Sequence, residues 1–310
     1  MSKEYFTIAG FCKFPNDITH IAPMGVLQQW LDECKISDAL EYYGLDSDKE
    51  FMSLFEKTWQ VVRKSPELQS VVYSVANYLF DDAVPPAWGK FERDTVDMLP
   101  AVIILSGWRH HVKNMFAKSF DSNQIEFNKL EMRDTITKAV RIYNKPGMLI
   151  SEMIWASILA RANLVEFGRM QYETKTAGEM YVCANIAPAT NIIGMHIPRG
   201  GPLSPDAVAQ SIAMARQHFG NNIPFVCNSW LLGADLGQYL RPNSNIARFR
   251  EHFRIIKNLD SESVCHFLFN APDDNPDIAS LPSDTTLRKD IKDAMLSGVR
   301  FHDAIGVLID

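Results

Sequence analysis

One short loop of the sequence has the residue types needed to hold a phosphate group. Arg199, Gly200 and Gly201 follow an apolar stretch over residues 191–198, and Ser204 then precedes a proline and an aspartate. Serine is a favoured N-cap, proline suits the first helical position and aspartate suits the first turn, so the sequence predicts a helix beginning here. The N–H groups of such a helix start, together with the arginine, can hold a phosphate. A glycine-rich connector carrying a surface arginine is the structural alternative.

His196 lies just before this loop, at a position suited to acid–base chemistry. In an extended strand, Ile193, Met195 and Ile197 point to one face and form core, while Gly194 and His196 point to the other. His196 is near the carboxyl end of the predicted strand, which is where open sheets bind ligands. Histidine also changes charge near neutral pH. A structural histidine held by hydrogen bonds is the alternative.

The spacing of apolar residues along the sequence predicts the helices and strands that position these residues. Residues 1–165 carry apolar side chains three and four apart, which predicts a helical N-terminal domain, whereas residues 166–310 predict a mixed sheet with helices. The fold class is therefore α+β. Helices are predicted over residues 24–31, 50–59, 66–79, 91–120, 129–143, 148–166, 205–219 and 286–297, with a further helix near residue 245. Strands are predicted over residues 169–174, 181–184, 191–198, 225–232, 253–257, 264–270 and 301–309, with a turn at 121–123 and loops at 82–88 and 273–277.

Composition narrows the class of protein. The chain has 310 residues, 22% of them charged, and a net charge of −6, and it has no basic patch of the size that nucleic-acid binding needs. Its five cysteines are scattered without a Cys-x-x-Cys pair, which favours a reducing compartment, and the N-terminus does not resemble a signal peptide. No apolar run reaches the ~18 residues of a membrane span. We expect a cytoplasmic protein that binds neither nucleic acid nor membrane.

Four motifs in order resemble a bacterial acyltransferase-like family. They are residues 167–173 (FGRMQYE), 196–205 (HIPRGGPLSP), 227–232 (CNSWLL) and 242–246 (PNSNI). That family has a helical N-acyltransferase N-terminal domain and a GNAT-like C-terminal domain, GNAT being the N-acetyltransferase superfamily. The order of strand, loop, helix, strand, helix and strand from residue 191 to residue 257 is similar to the GNAT superfamily as well.

The resemblance implies acetyl-CoA or another acyl-CoA as co-substrate. Its pyrophosphate would lie over the loop and the helix start already described. Its pantetheine arm would run where the strands at 191–198 and 225–232 part. Asn228 and Ser229 would bind pantetheine amides or substrate there, with hydrogen bonding within the fold as the alternative, and Asn245 matches an asparagine of the superfamily. Two departures stand out. Pro202 removes one N–H donor from the loop, and residues 249–251 (FRE) contain no tyrosine where the superfamily often has one that protonates the leaving thiolate.

Amide formation from a thioester also needs a base. His196 is the first candidate for this base, by its position and by the intrinsic pKa of histidine, with Glu173 as a second that would act through a water. An ion pair between Glu173 and Arg169 is the favoured alternative for that carboxylate. Backbone N–H groups near Met195 to Ile197 would stabilise the oxyanion. Cys227 is expected to be core.

No metal site is predicted. The adjacent histidines at 110 and 111 diverge by ~100° on a helix, which is wrong for one metal.

The leading functional hypothesis is direct transfer of an acyl group to a small-molecule or peptide amine, and a homodimer is among the expected assemblies. Two rival hypotheses stay open. One is a catalytically degenerate GNAT-like fold that binds CoA or another ligand. The other is a non-enzymatic interaction protein.

Overall fold

The computed structural model describes residues 12–13, 22–81, 87–88, 95–261, 263–272 and 276–309. The chain divides into two compact units, Met1–Asn163 and Leu164–Asp310. The first is largely helical and the second contains a mixed six-stranded sheet with helices, which confirms the predicted α+β class. Among the described residues, no helix is long and apolar enough to cross a membrane. Most of the loop predicted at 82–88 and part of the one at 273–277 lie outside the described residues.

The first unit is built from helices that have apolar faces, and side-chain N-caps define where some of them begin. Its helices are α1 (Met24–Glu33), α2 (Ile36–Tyr42), α3 (Lys49–Lys64), α4 (Pro66–Phe80), α5 (Leu99–Ser106), α6 (Trp108–Ala117), α7 (Ser122–Tyr143) and α8 (Met153–Ala160). Two-residue strands β1 (Cys12–Lys13) and β2 (Ala87–Trp88) pair with each other, as do β3 (Val96–Asp97) and β4 (Met148–Leu149). Asp48 and Ser65 cap α3 and α4 by accepting backbone N–H groups, which explains why those helices begin where they were predicted to.

Three predicted boundaries in this unit are wrong. The long helix over 91–120 is interrupted at Gly107, where α5 ends and α6 begins. The turn at 121–123 is instead the start of α7, because the Asp121 carboxylate accepts the Gln124 N–H as an N-cap. The helix over 148–166 is a strand, a 3₁₀ turn (Ile150–Glu152) and α8, and the chain then turns at Ala162 with φ 53°.

The adjacent histidines lie in different surroundings, as their divergence on α6 predicts. His111 is fully buried, and its Nδ1 lies 2.8 Å from the hydroxyl oxygen of the buried Tyr43. Burial lowers the pKa of His111 to about 3, so this histidine is neutral and structural. Among the described residues, no group of three or more His, Cys, Asp or Glu side chains could hold a metal ion.

The second unit is a single six-stranded sheet in the order β5-β6-β7-β8-β10-β9. The strands are β5 (Leu164–Phe167), β6 (Met170–Thr176), β7 (Asn191–His196), β8 (Phe225–Ser229), β9 (Phe253–Asn258) and β10 (Ala304–Leu308). Its helices are α9 (Pro205–Phe219), α10 (Asn245–Glu251) and α11 (Thr286–Leu296). Every neighbouring pair is antiparallel except β7 and β8, which are parallel and joined through α9.

The parallel pair separates at one end. The β7–β8 ladder contains Ile193–Phe225, Gly194–Val226 and Met195–Cys227 and then stops, although both strands continue for at least one residue. His196 and Asn228 are therefore the first residues beyond the end of this ladder. On its other side β7 pairs with β6, and this register places Gly194 beside Glu173 and His196 beside Gln171.

Two predicted strands of this unit are wrong, and three are too long, namely those over 191–198, 225–232 and 301–309. Residues 181–184 belong to a 3₁₀ segment, Glu179–Ala184, that buries Tyr181 and Ala184 three residues apart. Residues 264–270 are mostly a π-helical turn, Cys265–Phe269, that buries its first and last residues. The strand predicted over 225–232 ends at Ser229, and a 3₁₀ turn (Trp230–Leu232) follows. Short apolar runs are compatible with either helical or extended structure. Here the buried residues are three apart in the first segment and four apart in the second, which is helical spacing.

A buried serine connects α9 to the sheet. Ser211 is fully buried on the face of α9 that also buries Val208 and Ala215. Its hydroxyl oxygen lies 2.8 Å from the Tyr172 hydroxyl and accepts the Met170 N–H at 3.2 Å, and the hydroxyl donates to the Phe167 carbonyl. A polar residue on the apolar stripe therefore fixes the helix against the β5–β6 hairpin.

We expect Ser211→Ala to lower the free energy of unfolding by about 1–3 kcal/mol, because buried polar groups of the hairpin lose their partner. Urea unfolding measures this change. The control is Ser280→Ala, which removes an exposed hydroxyl that donates to the Asp277 carbonyl at 2.8 Å and should change stability by less than about 0.5 kcal/mol. Equal effects of the two substitutions would contradict the structural role of Ser211.

Candidate functional site

Three charged or titratable side chains meet on the face of the sheet over Gly194. His196 Nε2 and Lys175 Nζ both lie 2.9 Å from the same oxygen, Glu173 Oε2. Glu173 and Lys175 are two residues apart on β6 and therefore share a face, and the register places Gly194 directly opposite Glu173. The Glu173 side chain thus stands between a lysine and the histidine at the end of β7.

Gly194 provides the space for this cluster. A Cβ at this position would lie 2.8 Å from Lys175 Nζ and 3.0 Å from Glu173 Oε2. Atoms at such distances would have to move, so any side chain here would displace the charged groups. The glycine in the middle of β7 is therefore explained by the close approach of two side chains from β6.

Glu173 is ionised in this setting. The residue is only 8% exposed, and burial acts to raise the pKa of its carboxyl, but the hydrogen bond from His196 and the positive charge of Lys175 outweigh burial and lower that pKa to about 2. For Lys175, burial acts to lower the pKa, and the Glu173 charge reverses this and raises it. The pairing of Glu173 with Arg169 that the sequence favoured is wrong.

Arg169 instead holds the Arg-Gly-Gly loop. Its guanidinium donates to the carbonyl of Pro198 at 3.0 Å and to the carbonyl of Gly201 at 3.1 Å. Gly200 and Gly201 have φ values of +82° and +68°, a region that side chains other than glycine enter at a cost. The loop has its shape because two consecutive glycines allow it and an arginine from the neighbouring hairpin fixes both of its sides.

The predicted phosphate-binding residues lie together at the start of α9. Arg199 is exposed and donates from Nη2 to the carbonyl of His266 at 2.6 Å, which anchors its guanidinium beside the π-helical turn. Ser204 is the N-cap residue by position, but its hydroxyl makes no capping hydrogen bond. The first N–H groups of α9 are thus not capped by this side chain.

The other predicted ligand-binding residues lie farther along the chain. Asn228 is exposed just beyond the end of the β7–β8 ladder. Ser229 Oγ accepts the Leu231 N–H at 3.1 Å, so this serine caps the turn that follows β8. Asn245 is the exposed first residue of α10, whose N-cap is Ser244. In the described part of the chain, no hydrogen bond joins Asn245 to the Arg-Gly-Gly loop.

Arg250 supports the turn after β8, a role that sequence reasoning did not assign. It donates from Nη1 to the carbonyls of Leu231 at 2.6 Å and Gly233 at 2.8 Å. The same residue lines an open cleft of about 440 Å³ together with Arg241, Pro242 and Ile255. Its neighbour Phe249 is 1% exposed and packs on Phe253 with ring centroids 5.0 Å apart.

The low pKa of Glu173 predicts how stability depends on pH. A carboxyl whose pKa is depressed on folding stabilises the protein above its ordinary value near 4.5, and this contribution is lost as the pH falls towards about 2. Glu173→Gln should therefore destabilise the protein at pH 7 by on the order of 2 kcal/mol. The difference from the unsubstituted protein should shrink below pH 4.5 in urea unfolding.

The matched control for this substitution is Asp284→Asn. Asp284 also pairs with a cation, Arg288, at 2.9 Å, but it is exposed, so the loss of this pair should change stability little. A stability difference between Glu173→Gln and the unsubstituted protein that stays constant from pH 7 to pH 3 would contradict the buried ionised carboxylate.

Comparison with known proteins finds one family profile that is similar to the second unit. Residues 164–308 match the family profile of the GNAT-like C-terminal domain. No curated protein matches the sequence.

Solved structures with a similar fold include an acyltransferase in complex with decanoyl-CoA. It has a TM-score of 0.66 and 18% identity, and the alignment covers 99% of this chain and 96% of the other. An acyltransferase in complex with decanoyl-CoA and teicoplanin has a TM-score of 0.63 and 16% identity, over 98% of this chain and 93% of that one. A mutant acyltransferase in complex with octanoyl-CoA has the same values. The residues that match this profile make up nearly all of the second unit, Leu164–Asp310.

Proposed function

We propose that this protein is an acyl-CoA-dependent N-acyltransferase that transfers an acyl group directly to an amine. The observation that carries the proposal is the Glu173–His196 pair at the end of β7, next to the point where β7 and β8 separate. Solved acyltransferases of similar fold hold decanoyl-CoA, octanoyl-CoA or CoA. The same kind of thioester is the co-substrate proposed for this chain.

His196 is the proposed general base. With Nε2 donating to the Glu173 carboxylate, the basic lone pair of the neutral ring lies on Nδ1. The carboxylate fixes the ring and its tautomer, as the acidic partner of a catalytic histidine does. The acceptor amine attacks the thioester carbonyl carbon, a C–N bond forms and the C–S bond breaks. The amine proton passes to His196, and the CoA thiolate leaves and takes a proton from solvent.

The cofactor is proposed to lie along the Arg-Gly-Gly loop and the strand opening. Arg199, Gly200, Gly201 and Ser204 would hold the pyrophosphate at the start of α9, where N–H groups and the helix dipole favour negative charge. Pro202 contributes no N–H to this cradle. The arginine would then contribute a larger share of the binding.

The pantetheine arm is proposed to enter the opening between β7 and β8. Asn228 and Ser229 on β8 and Asn245 on α10 are its proposed polar contacts. Backbone N–H groups near Met195 to Ile197 would face the developing oxyanion.

The acceptor is proposed to be an amine on a small molecule or peptide. A solved structure of similar fold contains teicoplanin beside decanoyl-CoA, which supports a small-molecule acceptor of some size. The described cysteines Cys34, Cys183, Cys227 and Cys265 are free thiols, and we propose a reducing, cytoplasmic location on that basis.

One observation favours a second candidate function. The stretch over residues 249–251, which resembles the part of the superfamily that often carries a tyrosine acid, contains no tyrosine, and its Phe249 is buried. A domain that binds CoA without catalysis is the alternative, and it predicts stabilisation by CoA without release of thiol.

Binding of CoA tests the phosphate loop. We expect CoA at about 100 times its Kd to stabilise the protein by about 2.7 kcal/mol in thermal unfolding. Arg199→Glu should remove this shift, because it places a negative charge beside the pyrophosphate. Arg254→Glu reverses an exposed arginine on β9 of the same unit and should retain the shift. Retention of the full shift by Arg199→Glu would overturn the placement of the cofactor.

Turnover tests the proposed base. Release of CoA thiol from acetyl-, octanoyl- and decanoyl-CoA can be followed with a panel of amines. His196→Ala should lower kcat/KM by about 10²–10⁴-fold, as loss of a general base does. The control is His302→Ala, because His302 also contacts a carboxylate, Asp235, at 2.8 Å but lies outside the site. Full turnover by His196→Ala would remove it from the mechanism.

A further inference from the structure

Lys175 is the member of the Gly194 cluster that the proposed mechanism leaves without a role. Its ammonium lies 2.9 Å from Glu173 Oε2, the oxygen that also contacts His196. The lysine side chain is 30% exposed, but its end lies over β7: its Cε is 2.9 Å, and its Nζ 2.8 Å, from where a Gly194 Cβ would be. The side chain therefore folds back across β7 towards the carboxylate.

We propose that Lys175 is a positioning residue that neutralises Glu173, so that the carboxylate orients the His196 ring without stabilising its protonated form. This inference rests on the proposed role of His196 as base. A carboxylate alone at 2.9 Å would favour the imidazolium, which cannot accept a proton. A second positive charge on the same oxygen disfavours it. The lysine thus allows Glu173 to hold the ring while the ring stays basic.

Two further titratable groups act on Lys175 in the described part of the chain. They are Tyr181, from the 3₁₀ segment Glu179–Ala184, and Cys227 on β8, whose pairing with Met195 places it on the other face of the sheet. Burial raises the pKa of Tyr181, and burial also raises the pKa of Cys227, to about 12. Both are therefore uncharged near neutral pH. Among these groups, Lys175 and His196 are therefore the ones that interact with the negative charge of Glu173.

An ordinary ion pair would have different features. Exposed pairs on a strand contribute little and tolerate replacement. Here the carboxylate is 8% exposed, one of its oxygens is shared by two partners, and a glycine occupies the position where a side chain would separate them. These three features make the lysine part of the site.

The test is the titration of the His196 ring by NMR, with its signal assigned by comparison with His196→Ala. In Lys175→Met the titration midpoint should move to higher pH by about one unit or more, the range in which a nearby charge acts. Lys175→Arg should keep the midpoint of the unsubstituted protein. Lys289→Met removes a lysine from an exposed ion pair with Asp293 and should leave the His196 titration unchanged.

Gly194→Ala is an independent variant that keeps the lysine. Its added Cβ would lie 2.8 Å from Lys175 Nζ and 2.9 Å from Lys175 Cε, closer than the 3.0 Å to Glu173 Oε2, so we expect the flexible lysine to move most and the midpoint to shift in the same direction as in Lys175→Met. This variant also provides the answer if Lys175→Met does not fold. An unchanged midpoint in whichever of the two folds, or a shift in Lys175→Arg equal to that in Lys175→Met, would overturn the proposal.

The pH dependence of turnover separates positioning from a merely structural role. In Lys175→Met the acid limb of the kcat/KM profile should move to higher pH by the same amount as the NMR midpoint. At pH values below this limb, activity should be about tenfold lower than in the unsubstituted protein, and the two activities should converge at high pH. A loss that is uniform across pH would contradict the proposal. If no amine gives thiol release in the unsubstituted protein, the proposed function fails, and the NMR titration still decides the role of Lys175.

Discussion

A negative charge buried on the face of a sheet is the constraint that shapes the second unit. Taking the Glu173 carboxylate out of water is costly unless it is paired and hydrogen-bonded. The sheet provides both conditions with a lysine two residues along β6 and a histidine across the ladder on β7. The antiparallel register between β6 and β7 must then be kept, because a slip of one residue would place these side chains on opposite faces.

The remaining architecture positions the end of β7 relative to α9. The parallel pairing of β7 with β8 requires a crossover, and α9 is that crossover. Ser211 holds α9 to the β5–β6 hairpin, and Arg169 from the same hairpin holds the loop that leads into α9. The hairpin thus carries the carboxylate, the loop support and the helix contact. One supersecondary unit sets the distances between the elements of the site.

Much of this was predictable from the sequence, and the failures have identifiable causes. The α+β class, the strand bearing His196 and the start of α9 follow from alternation, capping residues and glycines, all of which are local signals. The role of Lys175 was missed because the strand predicted over 169–174 ends one residue before it, whereas β6 extends to Thr176. The ion pair assigned to Arg169 was wrong because its acceptors are backbone carbonyls, which carry no signature in the sequence. Residues 181–184 and 264–270 were assigned as strands because packing against the rest of the unit, which is non-local, decides their conformation.

The two hydrogen bonds from Arg169 have a consequence for which substitutions the Arg-Gly-Gly loop tolerates. Its two acceptors are main-chain oxygens, at Pro198 and Gly201, and every residue type presents such an oxygen. The side chains between them take no part in this contact, but the positive φ values of Gly200 and Gly201 still call for glycine. A proline immediately after the glycines is no obstacle to the shape of the loop. Arg169 and the two glycines together set the path of the backbone, so a substitution at any of the three should disturb the loop.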